Sequence, residues 1–227
     1  MNNLFRSAFI IAGKDLYSEW KTKQIVSTML IFSGLVIVTF SFAFDPSNNT
    51  VRAIIPGLIW VITIFAAILG LNRSFLSETK NDNLYGMIVS PTDPSSIYLG
   101  KVLANFVFVL LVQLISIPVL FLLFDFRFVG NLALFVGVVF LGTFGFISVG
   151  TFLAGLAANS RSSEMLLPIL LFPIVSPLLI AAVQATRILL IDIEQLSSAI
   201  SWMQLMGVYN LLFFVLCLIL FEYVLEV

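Results

Sequence analysis

Histidine is missing from all 227 residues. Its absence removes at once the usual imidazole metal ligand, general base and haem axial ligand. Cysteine occurs once, as Cys217 in an apolar run. That leaves no disulfide framework and no cysteine-based metal site. Charge is as scarce: Asp, Glu, Lys and Arg make up 10% of the chain, against 60% hydrophobic residues. A soluble domain carries roughly a quarter charged residues, so a polytopic membrane protein is expected instead. The net charge is −1 and no basic cluster is interleaved with aromatics, so nothing marks a nucleic-acid partner. No Walker A pattern occurs, and nucleotide is not bound by that route. Lys14, Asp15, Glu19, Lys21 and Lys23 interrupt residues 1–24, which do not read as a cleavable signal peptide.

What is present is long and apolar. Six stretches, at about 25–44, 53–71, 102–124, 132–157, 166–185 and 205–221, contain no Asp, Glu, Lys or Arg. Each is near the ~20 residues that cross ~30 Å of hydrocarbon. None shows dyad alternation, so backbone satisfaction in lipid demands helices rather than a barrel. The expected fold is an all-α membrane protein with six transmembrane helices in one domain. Proton- and ion-coupled transporters need an intramembrane ionisable group, and the polar groups of these spans, Gln113, Gln184, Ser and Thr among them, carry no charge. The energy for any transport must come from elsewhere. Gly137, Gly142, Gly145, Gly150 and Gly155 in the fourth span let neighbouring helices approach closely. Pro168, Pro173 and Pro177 in the fifth predict a kinked or broken helix, a hinge or a pathway lining.

Three polar segments flank the spans. Residues 4–20 carry Leu4, Ala8, Phe9, Ala12, Leu16, Tyr17 and Trp20 at helical spacing, which predicts a helix lying in the membrane interface. Residues 72–101 form the only long polar segment between two long apolar runs. There Leu84, Met87 and Ile88 share one helical face, Ser90-Pro91 stops that helix, and Asp93-Pro94 starts another. A helix over Phe75–Ile88, with Tyr85 and with Glu78 and Asp82 on its edge, is expected to dock a soluble partner. Residues 186–204 are expected to form short amphipathic helices on the outer face before the last span. With the N-terminus inside, eight basic residues lie inside (Arg6, Lys14, Lys21, Lys23, Arg73, Lys80, Lys101, Arg161) and three outside (Arg52, Arg127, Arg187). That asymmetry predicts both termini, and the 72–101 loop, in the cytoplasm.

This layout resembles the type-2 ABC exporter permease, and the wording of the motifs is more specific. KDL at Lys14–Leu16 is followed by Glu19 and Lys21, GLIW at Gly57–Trp60, FAAILGLNR at Phe65–Arg73, and Glu78. SP at Ser90–Pro91 and YLGK at Tyr98–Lys101 close the loop. GT at Gly142–Thr143 and again at Gly150–Thr151, EMLLP at Glu164–Pro168 and PLLIAAV at Pro177–Val183 come later. In this order the motifs resemble the haem-exporter B family, CcmB, the permease subunit of the cytochrome c maturation system in the bacterial inner membrane. The resemblance covers about Lys14 to Glu222. It implies a separate ATP-binding subunit (CcmA-like) docked at the loop through Phe75, Glu78, Asp82, Leu84, Tyr85, Met87 and Ile88. It also implies two copies of this chain, CcmC-like and CcmD-like membrane neighbours, and a haem chaperone (CcmE-like). Haem is then a possible substrate, and no cofactor is expected to reside in this chain, nor catalysis. The alternatives are a type-2 exporter of another lipid-like molecule, or a structural subunit with no transport role.

Overall fold

A computed structural model describes residues 2–44, 49–79, 93–158, 163–192 and 195–225. These residues form α1 (Asn2–Thr22), α2 (Gln24–Ala43), a single turn α3 (Asn49–Arg52), α4 (Ile55–Thr79), α5 (Pro94–Leu123), α6 (Leu132–Ala158), α7 (Ser163–Leu190) and α8 (Leu196–Leu225). No strand occurs among them. Six helices (α2, α4, α5, α6, α7 and α8) are long and apolar enough to cross a membrane.

α4 and α6 are the most enclosed spans, and α2 is the least. α6 packs against α4, α5, α7 and α8. The small residues of α6 make this possible: a Cβ on Gly150 would lie 2.6 Å from Leu71 Cδ1 of α4. α2 buries only the stripe Met29, Ser33 and Ile37 and exposes Ile31, Leu35, Val38 and Phe42, the surface of a helix that meets lipid on most sides.

α1 packs along α5 and touches α2 lightly. It buries Ala8, Ala12 and Glu19 and exposes Phe5, Phe9, Tyr17 and Trp20. The small side chains therefore face the protein, and the large apolar ones are left for lipid, as an interfacial helix requires. One residue separates α1 from α2. Lys23 has φ 53°, its N–H closes α1 on Glu19 O at 2.6 Å, and Glu19 Oε1 accepts Val26 N–H of α2 at 2.9 Å. A left-handed residue at the end of one helix thus doubles as the start of the next.

Asp93 caps α5, its side chain accepting Ser95 N–H at 3.0 Å with Pro94 at the first helical position. That helix does not stop before the third span but runs on to Leu123. Hydropathy marks the part of a helix that meets lipid, while the backbone ladder continues into polar residues beyond it.

Two further expectations are corrected. The segment 186–204 does not form separate outer helices: α7 continues to Leu190 and α8 begins at Leu196. Ile188, Leu189, Leu190 and Ala199 are buried in the bundle, and the Arg187–Asp192 ion pair at 3.4 Å marks the turn between the helices. The three prolines of the fifth span do not break it, since α7 is one helix from Ser163 to Leu190. Pro177 has no N–H for the Pro173 carbonyl, and Ser176 Oγ donates to that carbonyl instead at 3.0 Å. Tyr209 of α8 donates to the adjacent carbonyl, Ile174 O, at 3.1 Å.

Candidate functional site

The end of the bundle that carries the 72–101 segment brings three helices to one charged contact. Lys101 of α5 is 1% exposed, and its Nζ lies 2.8 Å from Asp15 Oδ2 of α1. The same ammonium stands 5.6 Å from the centre of the Phe75 ring at the end of α4, within cation–π range. Lys14 approaches the other oxygen of Asp15 at 3.3 Å. Gly100 makes the pairing possible. A Cβ there would lie 2.8 Å from Ala8 O of α1, so a larger residue would push α1 off and pull Asp15 from Lys101. The contact therefore ties α1 to both ends of the polar segment: Phe75 in the last turns of α4, and Lys101 two turns into α5.

Further from that end, buried polar side chains link the spans. Gln113 of α5 donates from Nε2 to Thr63 Oγ1 of α4 at 3.1 Å, and its Oε1 accepts from Thr143 Oγ1 of α6 at 3.0 Å. Trp60 of α4 donates from Nε1 to Thr186 Oγ1 of α7 at 2.9 Å, and its ring lies where a Cβ on Gly142 would be. Tyr98 of α5 donates to Ser148 O of α6 at 3.0 Å and packs on Phe221 of α8, ring centres 5.2 Å apart. Each bond satisfies a polar group that lipid cannot. No group of three or more His, Cys, Asp or Glu able to hold a metal occurs among the described residues.

The residues expected to dock a soluble partner are split by the structure. Phe75 is 4% exposed and packs inward under Lys101, so it faces its own bundle. Phe75 to Thr79, Glu78 included, continue α4 rather than opening a separate helix. Asp82, Leu84, Tyr85, Met87 and Ile88 lie outside the described residues. Pro168, Pro173 and Pro177 sit within α7, which contributes no residue to the Asp15–Lys101 contact.

The profile of the family described as CcmB protein matches residues 6–221. The chain belongs to the CcmB family. Heme exporter protein B of Pseudomonas aeruginosa is 29% identical over 182 residues, 79% of each chain. That of Rhodobacter capsulatus is 26% identical over 158 residues, 70% of this chain and 72% of its own. That of Paracoccus denitrificans is 28% identical over 158 residues, with the same coverage. In this CcmB-family chain the motifs read from the sequence turn out to be contacts with one another. Asp15 of KDL meets Lys101 of YLGK, and Trp60 of GLIW covers Gly142 of the first GT. Sequence reading found the motifs and missed the pairings, for which a lone buried lysine beside a glycine was the only signal.

Proposed function

We propose that this chain is the permease subunit of an ABC-type haem exporter serving cytochrome c maturation in a bacterial inner membrane. The observation that carries the reading is the family match across residues 6–221 on a chain with six spans. The relatives' name, heme exporter protein B, supplies the cargo. ATP is hydrolysed by a separate CcmA-like subunit, in keeping with the lack of a Walker A pattern in this sequence. A paired ATPase calls for two copies of this chain, beside CcmC-like and CcmD-like proteins and a CcmE-like chaperone. A second reading, that ATP hydrolysis releases the haem-loaded chaperone while haem never crosses this subunit, is favoured by the total absence of histidine.

In this proposal the 72–101 loop is the docking element, through Glu78, Asp82, Leu84, Tyr85, Met87 and Ile88. Phe75 serves the bundle instead. Burying Leu84, Met87 and Ile88 on the partner is worth about 1.5–3 kcal/mol each before association costs. Both termini lie in the cytoplasm, the side from which an ATPase reaches the loop. The double change Leu84→Asp with Met87→Asp is expected to abolish co-purification of the ATPase and covalent haem attachment to cytochrome c, at normal membrane levels of the variant. Retention of the ATPase would refute the docking assignment and make residues 161–164 the next candidate. The prolines of α7 act as its flexible region. Pro173→Ala is expected to leave the complex assembled and lower maturation in the same assay; parental maturation would reduce the prolines to structural bends.

A further inference from the structure

Asn105 lies one turn along α5 from Lys101. Its side chain is buried, 2% exposed, and neither Oδ1 nor Nδ2 has a hydrogen-bond partner. An amide left so in the interior of a membrane protein is costly, and hydrocarbon offers it nothing. It lines a narrow cleft with Met29 of α2, Gly70 and Leu71 of α4, Val109 of α5 and Ile147 of α6.

The α2 side of the cleft is closed by a flexible plug. The Met29 sulfur stands 2.7 Å from where a Cβ on Gly70 would be, so the thioether fills the space that glycine leaves. Methionine adapts to such gaps and gives way from them more readily than a branched residue. α2 is also the least enclosed span, held against α4 and α5 mainly by apolar contact. The hydroxyls of Thr28, Ser33, Thr39 and Ser41 all return to carbonyls of α2 itself. Gln24 O takes a long 3.4 Å bond from exposed Arg73. Beyond the Glu19–Val26 bond at its first turn, which can stay in place as the pivot, moving the rest of α2 outward breaks mainly apolar contact.

We propose that α2 is a side gate, and that the Asn105 cleft behind it binds a carboxyl-bearing amphiphile from the membrane when Met29 withdraws. A protonated carboxyl group matches the side-by-side donor and acceptor of the amide, its O–H donating to Oδ1 and its carbonyl accepting from Nδ2, and the apolar lining takes the body of the molecule. Among the described residues no cation lines the cleft, so it balances neither a phosphate nor an ionised carboxylate, and the ligand enters as the neutral acid. The ligand is either a fatty acid of the bilayer or a carboxyl-bearing cargo such as a porphyrin. The assignment of a transport role to the gate rests on the permease reading; the cleft itself does not.

The test uses the whole complex in membranes, with Cys217→Ala removing the native thiol. A photoreactive palmitic acid is expected to label the cleft, and Asn105→Leu to cut that labelling about tenfold. Asn105→Leu removes an unpartnered polar group, so the variant should fold at least as well as the parent. Undiminished labelling in a folded Asn105→Leu complex would overturn the site. Excess haem displacing the label identifies cargo, and no displacement identifies bilayer lipid. For the gate, Met29→Cys and Gly70→Cys are joined by a short bifunctional thiosulfonate. Labelling and cytochrome c maturation should each fall about tenfold and return on reduction. Unchanged labelling in the cross-linked protein would overturn the gate. A parent complex that labels but matures no cytochrome c would sink the permease reading while leaving the cleft standing.

Discussion

Lys101→Met is expected to cost the folded complex about 3 kcal/mol, the low end for breaking a buried ion pair from one side. The change keeps an unbranched side chain of nearly the same length but gives up the ammonium that stands over the Phe75 ring. What it removes is the charge 2.8 Å from Asp15 Oδ2. Asp15 is then left mostly buried, its side chain 12% exposed, with Lys14 at 3.3 Å from its other oxygen as compensation. That compensation is why the low end applies. Thermal melting of the detergent-solubilised complex reads the loss. Adding Asp15→Leu to Lys101→Met removes the stranded carboxylate and is expected to recover most of the stability, since an apolar pair of similar volume often replaces a buried ion pair without loss. A double variant no more stable than Lys101→Met alone would show that the pair does not act as a unit. Function separates from stability here. The double variant should assemble yet mature cytochrome c poorly, if the charge transmits motion between α1 and the ends of the polar segment. Parental maturation by the double variant would assign the pair to folding alone.

Trp60→Ala is the other severe change. The indole is 1% exposed and fills the space between α4, α6 and α7, so truncation should cost about 3–5 kcal/mol. Trp60→Phe keeps most of the ring and gives up the bond to Thr186, worth about 0.6–1.7 kcal/mol between membrane helices. Gly142 supplies a test that plain fragility would not pass. In the parent, Gly142→Ala drives a methyl group into the indole and is expected to destabilise. In the Trp60→Ala background the same methyl group enters the vacated space and should stabilise. A Gly142→Ala effect of the same sign in both backgrounds would show that Trp60 is not what the glycine accommodates.

The spans could be read from the sequence because twenty-residue stretches without charge have one use in a chain of this composition. The side of α1 that meets lipid was legible in Phe9, Tyr17 and Trp20, and the start of α5 in Asp93-Pro94. What stayed hidden is instructive. Apolar spacing near Phe75 marks a face but not its partner, and Phe75 turned inward to its own bundle. The 186–204 segment looked too polar to span and too apolar to be free. Ile188, Leu189, Leu190 and Ala199 belong to α7 and α8 and are buried in the bundle, and Arg187 pairs with Asp192 at the turn. The Asp15–Lys101 pair joins residues far apart in the chain, and local periodicity carries no trace of such a contact. Asn105 drew no notice in the sequence; only packing reveals that, among the described residues, nothing answers its amide.

α2 contains no Asp, Glu, Lys or Arg from Gln24 to Ala43. One elementary charge carried across a membrane potential of about 100 mV exchanges about 2.3 kcal/mol with the field. A helix that swings without charge exchanges almost nothing, whichever way it moves. Voltage can therefore neither drive this gate nor hold it shut, and an uncoupler that collapses the potential while ATP is maintained should leave its motion unchanged.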